Sequence, residues 1–250
     1  MTAAPVVLVH ATKQLLSDAS GARLVTALVD AQAARGQAHL VLTGGSMGSA
    51  ILASVAASPA RDAVDWSQVH VWWGDERFLP MGDPERNETQ NREALLDAIP
   101  LDPAKVHSVP GPDGPDGDDV AAAARRYADE LAAASDEGAA SPVFDVLLLG
   151  VGPDGHVASL FPGHPDQLVS GVSVAPVHGS PKPPPTRITL TFEALARAER
   201  TWFLVAGADK AHAVALGVAG APPEQSSCAQ VKGRAETLWL LDADAASELA

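Results

Sequence analysis

His156 is the residue of this chain whose type and setting best suit proton transfer. It closes the segment Gly150-Val151-Gly152-Pro153-Asp154-Gly155-His156, too rich in glycine and proline to continue a strand or a helix. The run before it, residues 144–149, is nearly all apolar, as expected of a strand covered on both faces in a parallel sheet. Such a strand delivers His156 just past its carboxyl end, where open α/β sheets place their ligand sites. An imidazole there suits a general base, because its ordinary pKa lies near neutrality. A lone loop histidine more often caps a backbone group; the buried strand and the surrounding glycines favour catalysis here.

The other candidate positions suit an anion. Thr43-Gly44-Gly45-Ser46-Met47-Gly48 follows an apolar strand at 38–42 and opens an alanine-rich helix. Gly44, Gly45 and Ser46 can cradle a phosphate, since glycine admits close backbone approach and a helix N-terminus offers free N–H groups. A Gly-Gly turn by itself more often means tight packing. The spacing matches neither the dinucleotide nor the P-loop pattern, so nucleotide binding has no support. Asp75 and Arg77 leave the end of a third strand at 69–73. Arg77 offers a planar fork matched to phosphate oxygens, and Asp75 either orients that fork or binds sugar hydroxyls. The plain alternative is a surface ion pair within Asp75-Glu76-Arg77. Arg187 begins a strand after the stiff Pro181-Lys182-Pro183-Pro184-Pro185 loop, which is either a rigid lid edge or a mere connector. Lys210 falls at a helix start, where the dipole disfavours a cation; a bound anion would account for it, and so would solvent exposure. No metal and no cofactor are expected. Cys228 is the only cysteine, the histidines show no His-x-x-x-His spacing, and His10, His39 and His70 fall in or beside strands.

These side chains need elements to position them, and the pattern supplies an alternation of strands and helices. Strands are expected at 6–9, 38–42, 69–73, 144–149, 172–177, 187–191, 201–205 and 237–241. Helices are expected at 12–35, from about 45 to 58, from Pro84 with Asp83 as cap, at 121–134, at 207–217 and in a short tail. The loop at 111–119 is a candidate hinge between two halves. Strands alternating with helices in this way call for an α/β fold: a Rossmann-like open, mainly parallel sheet with helices on both faces. Net charge is −14 and 46% of residues are apolar, which describes an acidic globule. That balance disfavours nucleic acid and anionic membranes as partners, so an anionic substrate must be held by a few local cations. The N-terminal stretch lacks the pattern of a signal peptide, which makes the cytoplasm the expected location.

Several stretches resemble the 6-phosphogluconolactonase family: Asp154-Gly155-His156-x-Ala158-Ser159-Leu160-Phe161-Pro162-Gly163, Trp73-Gly74-Asp75-Glu76-Arg77 followed by Asn87, and Pro185-x-Arg187-Ile188-Thr189-Leu190-Thr191. Where this chain has Met47-Gly48, the family more commonly reads Thr-Pro. The resemblance implies one domain over residues 1–250 that hydrolyses 6-phospho-D-glucono-1,5-lactone to 6-phospho-D-gluconate. His156 would be the general base, the Gly44-Gly45-Ser46 turn would face the substrate, and Asn87 would join Asp75 in binding it. Arg77, Arg187 and Lys210 would hold the 6-phosphate or share it with the hydroxyls, and the protein would act as a monomer. Two alternatives stay in view. In the related glucosamine-6-phosphate isomerase/deaminases the loop runs toward Ala-Phe-Asn-Glu-Pro and the earlier motif reads Asp-Glu-Tyr, unlike this chain. A non-catalytic sugar-phosphate sensor would usually carry a basic DNA-binding helix pair ahead of the first strand. A Ser-His-Asp hydrolase is disfavoured, because no Gly-x-Ser-x-Gly elbow is present.

Overall fold

The computed structural model describes residues 4–135 and 138–249. Six parallel strands form the main sheet: β1 (Val6–His10), β2 (Ala38–Leu42), β3 (Val69–Trp73), β5 (Phe144–Gly150), β8 (Ala198–Val205) and β9 (Glu236–Asp242). Their order is β1-β9-β8-β5-β2-β3. Three shorter strands, β4 (Asp75–Arg77), β6 (Val174–Val177) and β7 (Arg187–Leu190), form a separate antiparallel sheet in the order β4-β7-β6. The helices are α1 (Lys13–Arg35), α2 (Gly45–Ala57), α3 (Asn87–Ala94), α4 (Val120–Ala133), α5 (Phe192–Leu195) and α6 (Ala211–Ala219).

The core follows from composition. Every residue of β2 is buried, as are six of the seven in β5, so apart from His39 and Asp145 both strands read as apolar runs. Helix α1 is capped by the Thr12 hydroxyl and ends at Gly36, whose φ of 77° suits a residue without Cβ. Between these caps Leu16, Leu24, Val25 and Leu28 form its buried stripe.

The central topology matters most for function. From β2 the chain moves outward to β3, whereas from β5 it moves the other way to β8 and β9. The carboxyl ends of β2 and β5 therefore flank the point where the winding reverses, which is where doubly wound sheets open a crevice. Gly74 joins the two sheets: its N–H donates to Leu42 of the main sheet while its carbonyl accepts from Leu190 of the small one.

Four expectations are corrected. The strands at 172–177 and 187–191 belong to the antiparallel sheet, because the proline-rich 178–186 segment holds no helix to carry a parallel crossover. The third helix starts at Asn87 and not at Pro84. Asp83 only closes a turn by accepting from Glu85 N–H, while Glu76 caps the helix from β4 by accepting from Asn87 and Glu88 N–H at 2.8 Å each. The loop at 111–119 is tied down rather than free to hinge: Asp113 accepts from Met81 N–H, Asp116 pairs with Arg126, and Asp119 caps α4. Among the described residues, through Leu249, the tail after β9 forms successive turns and no helix.

Candidate active site

A cleft of about 270 Å³ opens at the reversal point, with Thr43, Gly44 and Gly45 on the β2 side and Gly150, Val151 and Gly152 on the β5 side. The two sides are tied by Gly150 N–H donating to the Thr43 hydroxyl at 3.3 Å. Gly44 has to be glycine, because a Cβ there would collide with the Asn87 amide. Helix α2 begins at the cleft, and its first turn has no side-chain cap, so N–H groups there are available to an anion.

His156 lines this cleft on a tight turn. Gly152 N–H donates to the His156 carbonyl and Gly155 N–H to the Gly152 carbonyl, both at 2.9 Å. Gly152 lies directly beneath the imidazole; a Cβ would strike both the ring and Asp154 Oδ1. The Nδ1 of His156 lies 2.5 Å from Asp154 Oδ1. A carboxylate accepts only, so Nδ1 carries a proton, and in the neutral ring Nε2 is then the nitrogen with the free lone pair. The Phe161 ring packs against the imidazole at 4.4 Å between centroids. Burial pushes the Asp154 carboxyl up, but the hydrogen bond and charge of His156, aided by Lys182, outweigh it and hold Asp154 well below the usual carboxylate range.

The opposite wall comes from β4, α3 and β7. Buried Glu76 accepts from the N–H groups of Arg77, Asn87 and Glu88, which fixes β4 against the first turn of α3. That junction sets Asn87 between its neighbours: Nδ2 donates to the Asp75 carbonyl at 2.8 Å, and Oδ1 accepts from Arg77 Nη1 at 2.6 Å. Asp75 accepts from the Ser159 hydroxyl at 2.5 Å and lies 3.8 Å from Arg187 Nη1. Ala158, at a φ of 49°, makes the bend that turns Ser159 inward while His156 faces the cleft. Among the described residues no cluster of three or more His, Cys, Asp or Glu side chains is arranged to hold a metal ion. No helix of the described residues is long and apolar enough to cross a membrane.

Residues 11–239 match the family described as glucosamine-6-phosphate isomerases/6-phosphogluconolactonase. The chain belongs to this family. A 6-phosphogluconolactonase of Streptomyces coelicolor is 58% identical over 251 residues, covering 100% of this chain and 96% of that protein. One from Mycobacterium tuberculosis is 48% identical over 94% of each chain. The solved 6-phosphogluconolactonase of Trypanosoma brucei superposes with a TM-score of 0.80 at 29% identity, covering 100% of both chains.

In this member of the family the cleft gathers Gly44, Gly45, Asp75, Arg77, Asn87, His156, Arg187 and Lys210. Ser46 lies apart, lining an adjoining hollow with Met47, Leu204 and Lys210. Two assignments change in substance. Asp75 pairs with Arg187 and not with Arg77. Arg187 is itself committed to protein: Nε donates to the Pro184 carbonyl, Nη2 to those of Lys182 and Pro183, and Nη1 to Ser159. It therefore clamps the proline loop to the site, which makes that loop a fixed rim of the cleft. Three contributors escaped sequence reasoning. Asp154 and Ser159 lie inside the motif around His156, and only their places in the fold bring them to the cleft wall. Lys182 was hidden among prolines, although an isolated cation in a stiff loop beside Arg187 was the available signal.

Proposed function

We infer that the protein hydrolyses 6-phospho-D-glucono-1,5-lactone to 6-phospho-D-gluconate, the second step of the oxidative pentose phosphate pathway. The observation that carries this reading is the Asp154–His156 pair, 2.5 Å apart, at a cleft whose walls hold Arg77, Lys182, Arg187 and Lys210. A base with cations around it fits a neutral ester carbonyl on an anionic sugar; full-length likeness to 6-phosphogluconolactonases supports the same chemistry.

In the reaction, water attacks C1 of the lactone while His156 Nε2 takes its proton. Asp154 holds the ring in the tautomer that leaves Nε2 basic and stabilises the imidazolium that forms. The tetrahedral oxyanion needs donors, and the free N–H groups at the start of α2 are available for a developing negative charge. Collapse breaks the C1–O5 bond, and the imidazolium returns its proton to O5. Arg77 and Lys210 supply the cations for the 6-phosphate, Asp75 and Asn87 shape the wall facing the sugar hydroxyls, and Arg187 acts by holding the rim. The same proposal covers a single-domain monomer that works in the cytoplasm without metal or cofactor.

The test is a coupled assay on freshly generated 6-phosphogluconolactone, corrected for spontaneous hydrolysis. Enzyme-proportional formation of 6-phosphogluconate is expected. Steady release of ammonia from glucosamine 6-phosphate, with no lactone turnover, would assign the cleft to the deaminase reaction instead.

A further inference from the structure

We propose that Lys182 is a positioning residue that sets the pH range over which His156 works, acting through the carboxylate they share. The inference rests on the lactonase reading above, since it concerns the base of that reaction.

Lys182 Nζ lies 3.7 Å from Asp154 Oδ1, the same oxygen that accepts from His156 Nδ1 at 2.5 Å. The lysine does not reach this place by chance rotation of a free loop. Ser180 Oγ donates to the Lys182 carbonyl at 2.9 Å and accepts from Lys182 N–H at 3.3 Å. Ser180 N–H donates to the Pro185 carbonyl, and Arg187 holds the carbonyls of Lys182, Pro183 and Pro184. The rim is thus pinned from both ends, and its one cationic side chain leans over the catalytic pair.

Around His156 the charged groups are few. Asp154 comes from its own turn, Lys182 from the rim, Arg187 from β7, Lys210 from the start of α6, and Asp75 and Arg77 from β4. Of these only Asp154 bonds the ring, and Lys182 is the cation that touches Asp154. Asp75 and Arg187 offset one another, and Lys210 leans on Asp209 at 3.4 Å. The sharing has a definite sign. A carboxylate drawn toward an ammonium stabilises an imidazolium less, and the ammonium itself repels it. Both effects keep His156 unprotonated, and so ready to accept a proton, at lower pH.

Sharing one oxygen places the ammonium within about 6 Å of the ring nitrogen, where a charge in a half-exposed site moves a titration by about half to one pH unit. In Lys182→Met the acidic limb of the kcat/KM profile is therefore expected to rise by that amount, and Lys182→Arg to return it. The imidazole of the ligand-free protein, followed by NMR, should titrate higher by the same interval in Lys182→Met; this readout needs no turnover and reports the folded state directly. An unmoved limb with KM raised on the phosphorylated lactone alone would overturn the proposal and make Lys182 a phosphate ligand. A His156→Ala protein that keeps the wild-type profile would instead sink the lactonase mechanism itself, so the two failures are distinct.

Discussion

Gly152 leaves the room that His156 and Asp154 occupy. The imidazole and Asp154 occupy the space a Cβ would take, so Gly152→Ala must displace both. A misplacement of about 1 Å costs on the order of 10²-fold in rate. kcat is expected to fall at least that far while the thermal melt stays near wild type; an unchanged kcat would show that the pair tolerates the shift. Arg77 makes a second case. A hydrogen bond to a charged group is worth about 1.5–3 kcal/mol, so Arg77→Ala should raise KM for the phosphorylated lactone by roughly 10- to 150-fold. Turnover of unphosphorylated gluconolactone should hardly change, and equal losses on the two substrates would give Arg77 a structural role. At this scale the sequence is readable where the geometry is local: the glycines around His156 mark the turn that sets it in the cleft. It is not readable where the partner is distant in sequence, as with Asp75, which accepts from the Ser159 hydroxyl, or Lys182, which lies 3.7 Å from Asp154.

At the scale of elements, strands at 38–42 and 69–73 coincide with β2 and β3, because buried parallel strands carry a short, mostly apolar run, here broken only by His39 and His70. The pattern does not carry β4, too short for periodicity, or the start of α3, where Asp83-Pro84 imitates a cap. The true cap is Glu76, a tertiary partner from the neighbouring strand. Glu76→Ala would leave three backbone N–H groups without their acceptor, and a buried unsatisfied donor costs about 1–3 kcal/mol. A loss of about 3 kcal/mol or more lowers Tm by roughly 6–12 °C in a chain of this size. Calorimetry on the variant checks this, and an unaltered melt would mean that the β4–α3 junction is held by other contacts.

Across the whole molecule, charge is divided by location. The chain carries −14 overall, yet four cations line one cleft. KM for the phosphorylated lactone should therefore rise several-fold as salt is raised toward 1 M, where screening shortens to about 3 Å, with kcat little changed. A salt-independent KM would contradict a phosphate held by Arg77 and Lys210. Stability should respond to pH at the opposite end of the sheet. Burial, with His70 and His107 adding to it, lowers His39 from 6.5 to about 3, and burial with His107 lowers His70 to about 4. The geometry agrees: Trp72 Nε1 donates to His39 Nδ1 at 3.2 Å, which requires a neutral ring. Both histidines stay uncharged in the folded state while the unfolded chain takes up protons below about 6.5. Their contribution is full above that pH and is lost as pH falls toward 4 and 3. By pH 5 His39 alone accounts for about 2 kcal/mol, and half-exposed His70 for less. Glu76 opposes them, because burial raises it from 4.5 to about 7 despite Arg86 and its three N–H donors, so its term weakens the fold as pH rises through that window. Two histidines against one carboxyl leave net acid sensitivity between pH 4.5 and 6.5. Replacing His39 with Gln should flatten the dependence of Tm on pH there, and an unchanged slope would remove the histidine pair from the account.

The claim on which the rest depends is that His156 takes the proton from water. Its measure is kcat of His156→Ala on freshly generated 6-phosphogluconolactone, with folding verified by an unchanged melt. A positioned general base contributes about 10²–10⁴-fold, so kcat should fall by that factor while substrate still binds. A folded His156→Ala protein whose kcat stays within a few-fold of wild type would contradict the mechanism.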